Sequence, residues 1–336
     1  MNVDIIILAA GQGKRMQSPL PKVLQSLGGK PLLQHVVDTC SKIEKAKLHI
    51  IVGEQKKLIQ SSISAPKSTN WVIQKKQLGT GHAVKQVLPS LRANSQAVVL
   101  YGDGPLVKSS TLKKLISNVA KNNLTLLTFE SANPKGLGRI IRQSNSKVSG
   151  IVEEKDASSS EKQIKEVNSG ILATSTKNLK QWLPKLRNNN ASKEYYLTDI
   201  VTLCSSENKS IKAINLGDTS ELLGANDNQE LQNLERIYQK ETALRFLKYG
   251  VKFADINRVD FRGEISIGKN AFIDINVVLE GKVSIGSDSI ISVGAVIRNS
   301  TLSKKIKVEP YSVIENSKIG DNSMIGPFAH IGPGTE

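Results

Sequence analysis

From Ile267 onward an aliphatic residue returns at every sixth position: Ile267, Ile273, Leu279, Ile285, Ile291 and Ile297. Four places after each stands a small or β-branched residue, Ala271, Val277, Val283, Ser289, Ala295 and Thr301. A domain with one rounded core has no reason to keep such a period. A chain winding in three-sided coils does, because each coil buries its corner residues only against the coils beside it. After an irregular stretch from Lys304 to Ser317 the repeat resumes at Ile319, Ile325 and Ile331. About three and a half coils of a left-handed parallel β-helix are therefore expected, with the pattern breaking off in mid-coil at Glu336. An uncapped solenoid exposes a sheet edge, so more chain or another surface is expected to cover that end. An ordinary meander of short strands is the competing reading, but it has no cause to give six uninterrupted matches. The repeat names no chemistry, since such a solenoid can be scaffold, trimerisation element or transferase.

Between Val3 and about Leu216 short apolar runs alternate with helical periodicity, the pattern of an α/β domain whose mostly parallel sheet is joined by crossover helices. Strands are expected at 3–8, 48–52, 71–74, 97–101 and 124–129. Leu32, Leu33, Val36, Val37, Cys40 and Ile43 recur at helical spacing behind Pro31, which suits a first helical turn. After Glu130 the pattern becomes paired strands, 139–142 and 147–153, around Ser144-Asn145-Ser146, with another near 170–174; these read as an insertion flanking a site. Leu231, Leu234, Ile237, Tyr238 and Leu244 then fall on a helix uninterrupted by Gly or Pro. The expected division is an α/β domain over 1–226, a linker helix over 227–250 and a partial β-helix over 251–336.

Forty-six Lys and Arg against thirty Asp and Glu leave a formal charge of +16, which favours anionic partners. Aromatics are only 4% of the chain and no basic run is interleaved with them, so nucleic acid is not expected as a partner. Cys40 and Cys204 lack the number for a disulfide framework and the spacing of a zinc site, which suits a reducing cytoplasm. The apolar run from Ile5 to Ala10 is too short for a signal-peptide core or a membrane span, so a cytoplasmic chain without membrane insertion is expected.

Leu8-Ala9-Ala10-Gly11-Gln12-Gly13-Lys14-Arg15-Met16 follows the first strand, and its glycines let backbone N–H groups turn toward an anion, with phosphate the natural guest. It lacks the third glycine of a dinucleotide fingerprint and the GK[ST] of a P-loop. Lys14, Arg15 and Lys22 add cations nearby, with Pro19 and Pro21 stiffening the segment that presents Lys22; solvated surface lysines remain the alternative. Gln74 through Gln77-Leu78-Gly79-Thr80-Gly81-His82 offers amides and glycines suited to a nucleobase edge, although a helix N-cap at Thr80 with an incidental Gln explains it as well. His82 reads as a structural residue rather than a general base. Tyr101-Gly102-Asp103-Gly104-Pro105 puts a carboxylate at the carboxyl edge of a parallel sheet, where Mg²⁺ needs only one or two protein oxygens. Asn226 can supply the second, but a turn amide is the commoner explanation of an Asn there.

The segments LAAGQGKRM, LPKVL, QLGTGHA, YGDGPL, GLGRI, GIVEEKDA, VNSGIL and EYYLTDI, followed by the hexapeptide tail, resemble the bacterial bifunctional N-acetylglucosamine-1-phosphate uridylyltransferase/glucosamine-1-phosphate acetyltransferase family over the whole chain. The resemblance implies a Rossmann-like domain that uses UTP, N-acetylglucosamine-1-phosphate and Mg²⁺, and a homotrimer assembled through the β-helix. It implies that Leu8, Ala9, Ala10 and Gly11 cradle the nucleotide, that Gln74, Gly79 and Thr80 meet uracil, and that Tyr101 and Gly102 lie near the ribose and phosphates. Arg15 and Lys22 would face the triphosphate as catalytic charges, Gly138, Glu153 and Asn168 would hold the N-acetylglucosamine moiety, and Asp103 with Asn226 would bind Mg²⁺.

Two departures stand out. Lys14 occupies the place of a usual threonine, which removes a hydroxyl and adds a cation beside the phosphates. Gly332 stands where the family has an arginine used in acetyl transfer, and His330, the one histidine after residue 82, does not match the family's catalytic position; acetyl transfer is therefore not expected from these residues. Other sugar-1-phosphate nucleotidyltransferases, or a non-catalytic scaffold that senses nucleotide, remain the competing readings.

Overall fold

The computed structural model describes residues 1–11, 13–120, 123–217 and 219–333, with Lys14 described by its backbone alone. Gln12 of the glycine loop, the Lys14 side chain and the chain end at Glu336 lie outside the described residues. The chain forms two compact units, Met1–Leu24 with Leu32–Asp227, and Gln25–Pro31 with Asn228–Glu336.

The first unit is built on a nine-stranded sheet. Its path runs Ile211–Asn215, Leu124–Glu130, Glu166–Ser175, Gln96–Tyr101, Val3–Ala9, Ala46–Val52 and Asn70–Ile73. Ile5, Ile6 and Ile7 are all buried, as are Val98, Val99 and Leu100 in the neighbouring strand. Both faces are covered, so these strands are continuously apolar rather than alternating. Along this path pairing is parallel except at Glu166–Ser175, which runs antiparallel to both neighbours. This corrects the expectation of a strand near 170–174 belonging only to an insertion. Leu172, Ala173 and Thr174 are buried in the main sheet, and only the hairpin Arg139–Arg142 with Val148–Val152 is attached at its margin, through Val167 and Arg139. The register breaks between Asn168 and Leu172, and Ser169, Gly170 and Ile171 bend toward the sheet's carboxyl edge. Val3–Ala9 and Gln96–Tyr101 are parallel neighbours with Leu8 opposite Tyr101, so the loops that follow them leave the sheet at one edge.

The second unit is a helix, Asn228–Tyr249, and a stack of parallel coils. The helix meets the coils through buried Phe246 against Phe261, an Arg236–Asp260 ion pair and the Gln239 amide, which donates to the Phe261 carbonyl at 2.9 Å and accepts from the Phe261 N–H at 2.7 Å. The short hairpin Gln25–Pro31 belongs to this unit, with Gly28 N–H donating to Glu235 at 2.9 Å, an arrangement that a contiguous division at 226 does not contain. One face of the left-handed β-helix carries five rungs, beginning at Lys252-Phe253, before the first hexad legible in the sequence.

The stretch 304–317, read above as irregular, is regular with a shorter coil. Val278 pairs with Val296, eighteen residues on, whereas Val296 pairs with Val313, seventeen on. One residue is lost at the turn after Arg298, and the aliphatic ladder continues through Leu302, Val308, Ile314 and Ile319, all buried. Ser300 rather than Thr301 takes the corner: Ser300 is 1% exposed, and Thr301 faces solvent.

Candidate active site

The glycine loop closes onto Lys22. Gly13 has φ +61°, and a Cβ there would stand 2.5 Å from Lys22 Cβ, so only glycine lets the loop fold this tightly against the lysine stem. The turn Lys22–Leu24 is anchored by buried Val23 and Leu24. Its ammonium reaches Asp103 in an ion pair and donates to Asn226 Oδ1 at 2.8 Å. The three side chains expected at the triphosphate and metal thus meet, but with Lys22 turned to the two oxygen donors.

Gly102 is placed differently from expectation. Its N–H donates to the Leu8 carbonyl at 2.9 Å, and a Cβ on it would press on Leu33 and Ala9, so it packs behind the cradle rather than lining the cavity. Tyr101 does line it; desolvation, with the Glu153 and Asp103 carboxylates nearby, pushes its phenol above the usual range and keeps it neutral.

The loop from Gln74 to Thr80 is held from two directions. The Gln74 amide nitrogen donates to the Gly79 carbonyl at 3.1 Å and lies 3.1 Å from His82 Nδ1. Burial, then the Lys85 charge, depresses the His82 pKa, in keeping with a neutral ring that accepts from Gln74. The Thr80 hydroxyl does not cap its helix, as the sequence suggests; it accepts the Leu197 N–H at 3.0 Å, while Tyr195 exchanges backbone bonds with Leu78 and Gly81, each 2.8 Å. Gln77 donates to the Ala10 carbonyl at 2.6 Å and ties this loop to the cradle.

At the far end Gly138 approaches Glu153 so closely that a Cβ would stand 3.3 Å from Oε2, and its carbonyl accepts the Asn168 N–H at 2.8 Å. Thr198 donates to Glu153 Oε1 at 2.8 Å and fixes the carboxylate's orientation. Burial raises the Glu153 pKa, the Thr198 hydrogen bond opposes this, and Asp156 and Glu194 add to the rise. Desolvation and the charges of Glu153 and Asp156 push Asp199 up to about 6.

One cavity of about 540 Å³ unites these parts within the first unit. It is lined by Leu8, Ala9, Ala10, Gly11, Arg15 and Lys22, by Gln74, Gly79, Thr80, Tyr101, Asp103 and Asn226, and by Gly138, Glu153 and Asn168.

Residues 5–145 match the family model of the MobA-like NTP transferase domain, and residues 261–335 that of the GMPPB C-terminal domain. The chain is 45% identical to the bifunctional protein GlmU of Marinobacter nauticus over 334 residues, which cover 99% of this chain and 73% of that protein. It is 45% identical over 337 residues to that of Nitrosomonas eutropha, covering the whole of this chain and 74% of the relative. The chain belongs to the bifunctional GlmU family. A crystal structure described as a glucose-1-phosphate thymidylyltransferase from Bacillus anthracis aligns with TM-score 0.53 at 19% identity, covering 70% of this chain and 94% of that one, a likeness of fold.

As a GlmU family member the chain is a nucleotidyltransferase, and that class implies a divalent cation. The donors here fit one. A carboxylate and an amide oxygen, both hard, converge on a point where Lys22 already places positive charge. No cluster of three or more His, Cys, Asp or Glu able to hold a metal occurs among the described residues, so the fit is to an ion that takes its other ligands from substrate and water. No described helix is long and apolar enough to cross a membrane.

Sequence reasoning counted Gln77 only among the amides of its segment and gave Thr198 and Gly224 no role. Thr198 lies in the EYYLTD segment, whose resemblance was noted without a role for this residue. Gly224, where a Cβ would stand 3.3 Å from the Asp103 carbonyl, sits two residues before Asn226 and lets that loop approach Asp103. The close approach shows only when both loops are folded.

Proposed function

We propose that this chain transfers UMP from UTP to N-acetylglucosamine-1-phosphate, releasing pyrophosphate and forming UDP-N-acetylglucosamine. The observation that carries the reading is one cavity whose lining brings together a glycine cradle, a cation–carboxylate–amide trio and a buried carboxylate. The uracil edge is assigned to Gln74, Gly79 and Thr80, the nucleotide backbone to Leu8 through Gly11, and the ribose side to Tyr101 with Gly102 packing behind. Gly138, Glu153 and Asn168 are assigned to the N-acetyl sugar, whose hydroxyls and amide need carboxylate and amide partners.

A phosphate oxygen of the sugar phosphate attacks the α-phosphorus of UTP in line, the bond from that phosphorus to the bridging oxygen breaks, and pyrophosphate leaves. The incoming phosphate is already ionised, so no protein nucleophile or base is required. Arg15 and Lys22 offset the gathering negative charge, and the cradle aligns the reactants. Mg²⁺, the ion we assign to Asp103 and Asn226, supplies further charge neutralisation when bound. We assign the chain to a reducing cytoplasm and its assembly to a homotrimer through the β-helix, which light scattering tests.

Acetyl transfer is not assigned to these residues: His330 lies on the exposed face of the coils, 3.7 Å from Glu315, and Gly332 brings no cation. The deciding experiment is a coupled pyrophosphate assay with paired nucleoside triphosphates and sugar phosphates. Preference for UTP with N-acetylglucosamine-1-phosphate is expected. Release with another pair would reassign the substrates, and UTP binding without release would leave a nucleotide sensor. Acetyl transfer from acetyl-CoA by the same preparation would overturn the second part of the reading.

A further inference from the structure

The Lys22 ammonium lies between Asp103 and Asn226, the two oxygen donors of the metal reading above. We propose that Lys22 is a built-in occupant of the cation site, which keeps divalent ions out until a polyphosphate draws its charge away. The inference rests on the metal reading of Asp103 and Asn226.

Charge balance within the cavity argues for it. Asp103 carries one negative charge and Lys22 one positive, so the group is neutral in the ligand-free protein. A divalent ion added to it would leave two uncompensated positive charges at a half-buried place, where water screens them poorly. Arg15, which also lines the cavity, is a cation; of the cavity's further carboxylates, Glu221 is turned to the Lys108 N–H and the Thr111 hydroxyl, each 3.0 Å away, Glu153 accepts from the Thr198 hydroxyl at 2.8 Å, and Glu194 is the third.

The lysine is mounted to move between two places. Its backbone is fixed by the buried Val23 and Leu24, and its Cβ packs against Gly13, so its stem starts beside the phosphate cradle. The four-carbon stem gives the ammonium freedom to swing from the oxygen pair to a polyanion on that loop. A nucleoside triphosphate would supply that polyanion, and the divalent ion would enter with it rather than before it.

Mn²⁺ binding to the full chain, followed by electron paramagnetic resonance without nucleotide, tests this. Lys22→Met should bind Mn²⁺ about tenfold more tightly than the unmutated protein, the factor expected when an occupant filling nine-tenths of a site is removed. Lys22→Arg, which keeps the charge, should bind as weakly as the parent. Lys22→Gln gives the same reading where Lys22→Met fails to fold, as judged by circular dichroism. Equal Mn²⁺ affinities in the parent and the neutral variants, all lost on Asp103→Asn, would overturn the proposal and leave the metal reading standing. Mn²⁺ binding that survives Asp103→Asn in the Lys22→Met protein would remove the metal reading and this proposal with it.

Discussion

Gly170 is pressed against Tyr101: a Cβ built on it would stand 2.0 Å from the ring's Cε2, and its φ is +79°. The register break after Asn168 brings the chain to this point and turns Ser169 to Ile171 into the cavity. Gly170→Ala would combine a left-handed backbone with a ring that has to move. Strain of that kind costs roughly 1–2 kcal/mol for the backbone and about 1–3 kcal/mol for overpacking. A lower melting temperature and a raised KM for nucleotide are expected. An unchanged KM would place Tyr101 outside the binding surface.

Removing the Lys22 charge should slow transfer even though it opens the cation site. A charge placed on the transition state contributes about 2–4 kcal/mol, so Lys22→Ala should lower kcat at least roughly thirtyfold. Asp103→Ala should lose saturable dependence on low-millimolar Mg²⁺. Steady-state rates across a Mg²⁺ series check both, and normal saturation by the Asp103 variant would contradict the assignment.

The carboxylates around Glu153 give the fold a pH dependence. Asp199 titrates at about 6 in the folded protein, against 3.8 for an ordinary aspartate. Between those values the native state holds a proton that the unfolded chain releases, so this group lowers stability as pH rises through the window, and the cost is fully present above it. Asp199→Asn should therefore melt higher than the parent at pH 7.5, with the gap closing toward pH 4. Melting curves at the two pH values decide; a gap of the same size at both would show that the effect is not electrostatic.

The shortened coils make a sharper prediction about Ser300. The buried Ser317 N–H donates to the Ser300 hydroxyl at 3.1 Å, a bond that the coil turn requires once a residue has been lost. Ser300→Ala should cost about 1–3 kcal/mol, the penalty of a buried donor left without its acceptor. Thr301→Ala, on the solvent face, should change stability by no more than about 0.5 kcal/mol. Denaturant midpoints of the two variants compare them directly, and the reverse order would restore Thr301 to the corner.

Much of the fold was legible because its signals are local. The hexads mark corners at short range, and the continuous apolar strands mark a sheet covered on both sides. The seventeen-residue coils were misread as irregular because one deleted residue shifts the period, and only the strand pairing shows where the ladder resumes. The strand Glu166–Ser175 was misplaced for a related reason: its apolar run fits a flanking hairpin or a central strand equally well, and the packing of Leu172 and Ala173 between two neighbours decides which.

The site divides in the same way. The glycine loop, the amide-rich loop from Gln74 to Thr80 and the carboxylate after the fourth expected strand can be read from the chain alone, since each is a short motif whose chemistry lies in adjacent residues. That Lys22 meets Asn226 across 204 positions of chain, that Thr198 orients Glu153, and that Gly102 packs behind the cradle emerges from the folded chain. Such contacts depend on where strands and loops come together in space, and no spacing along the chain encodes them.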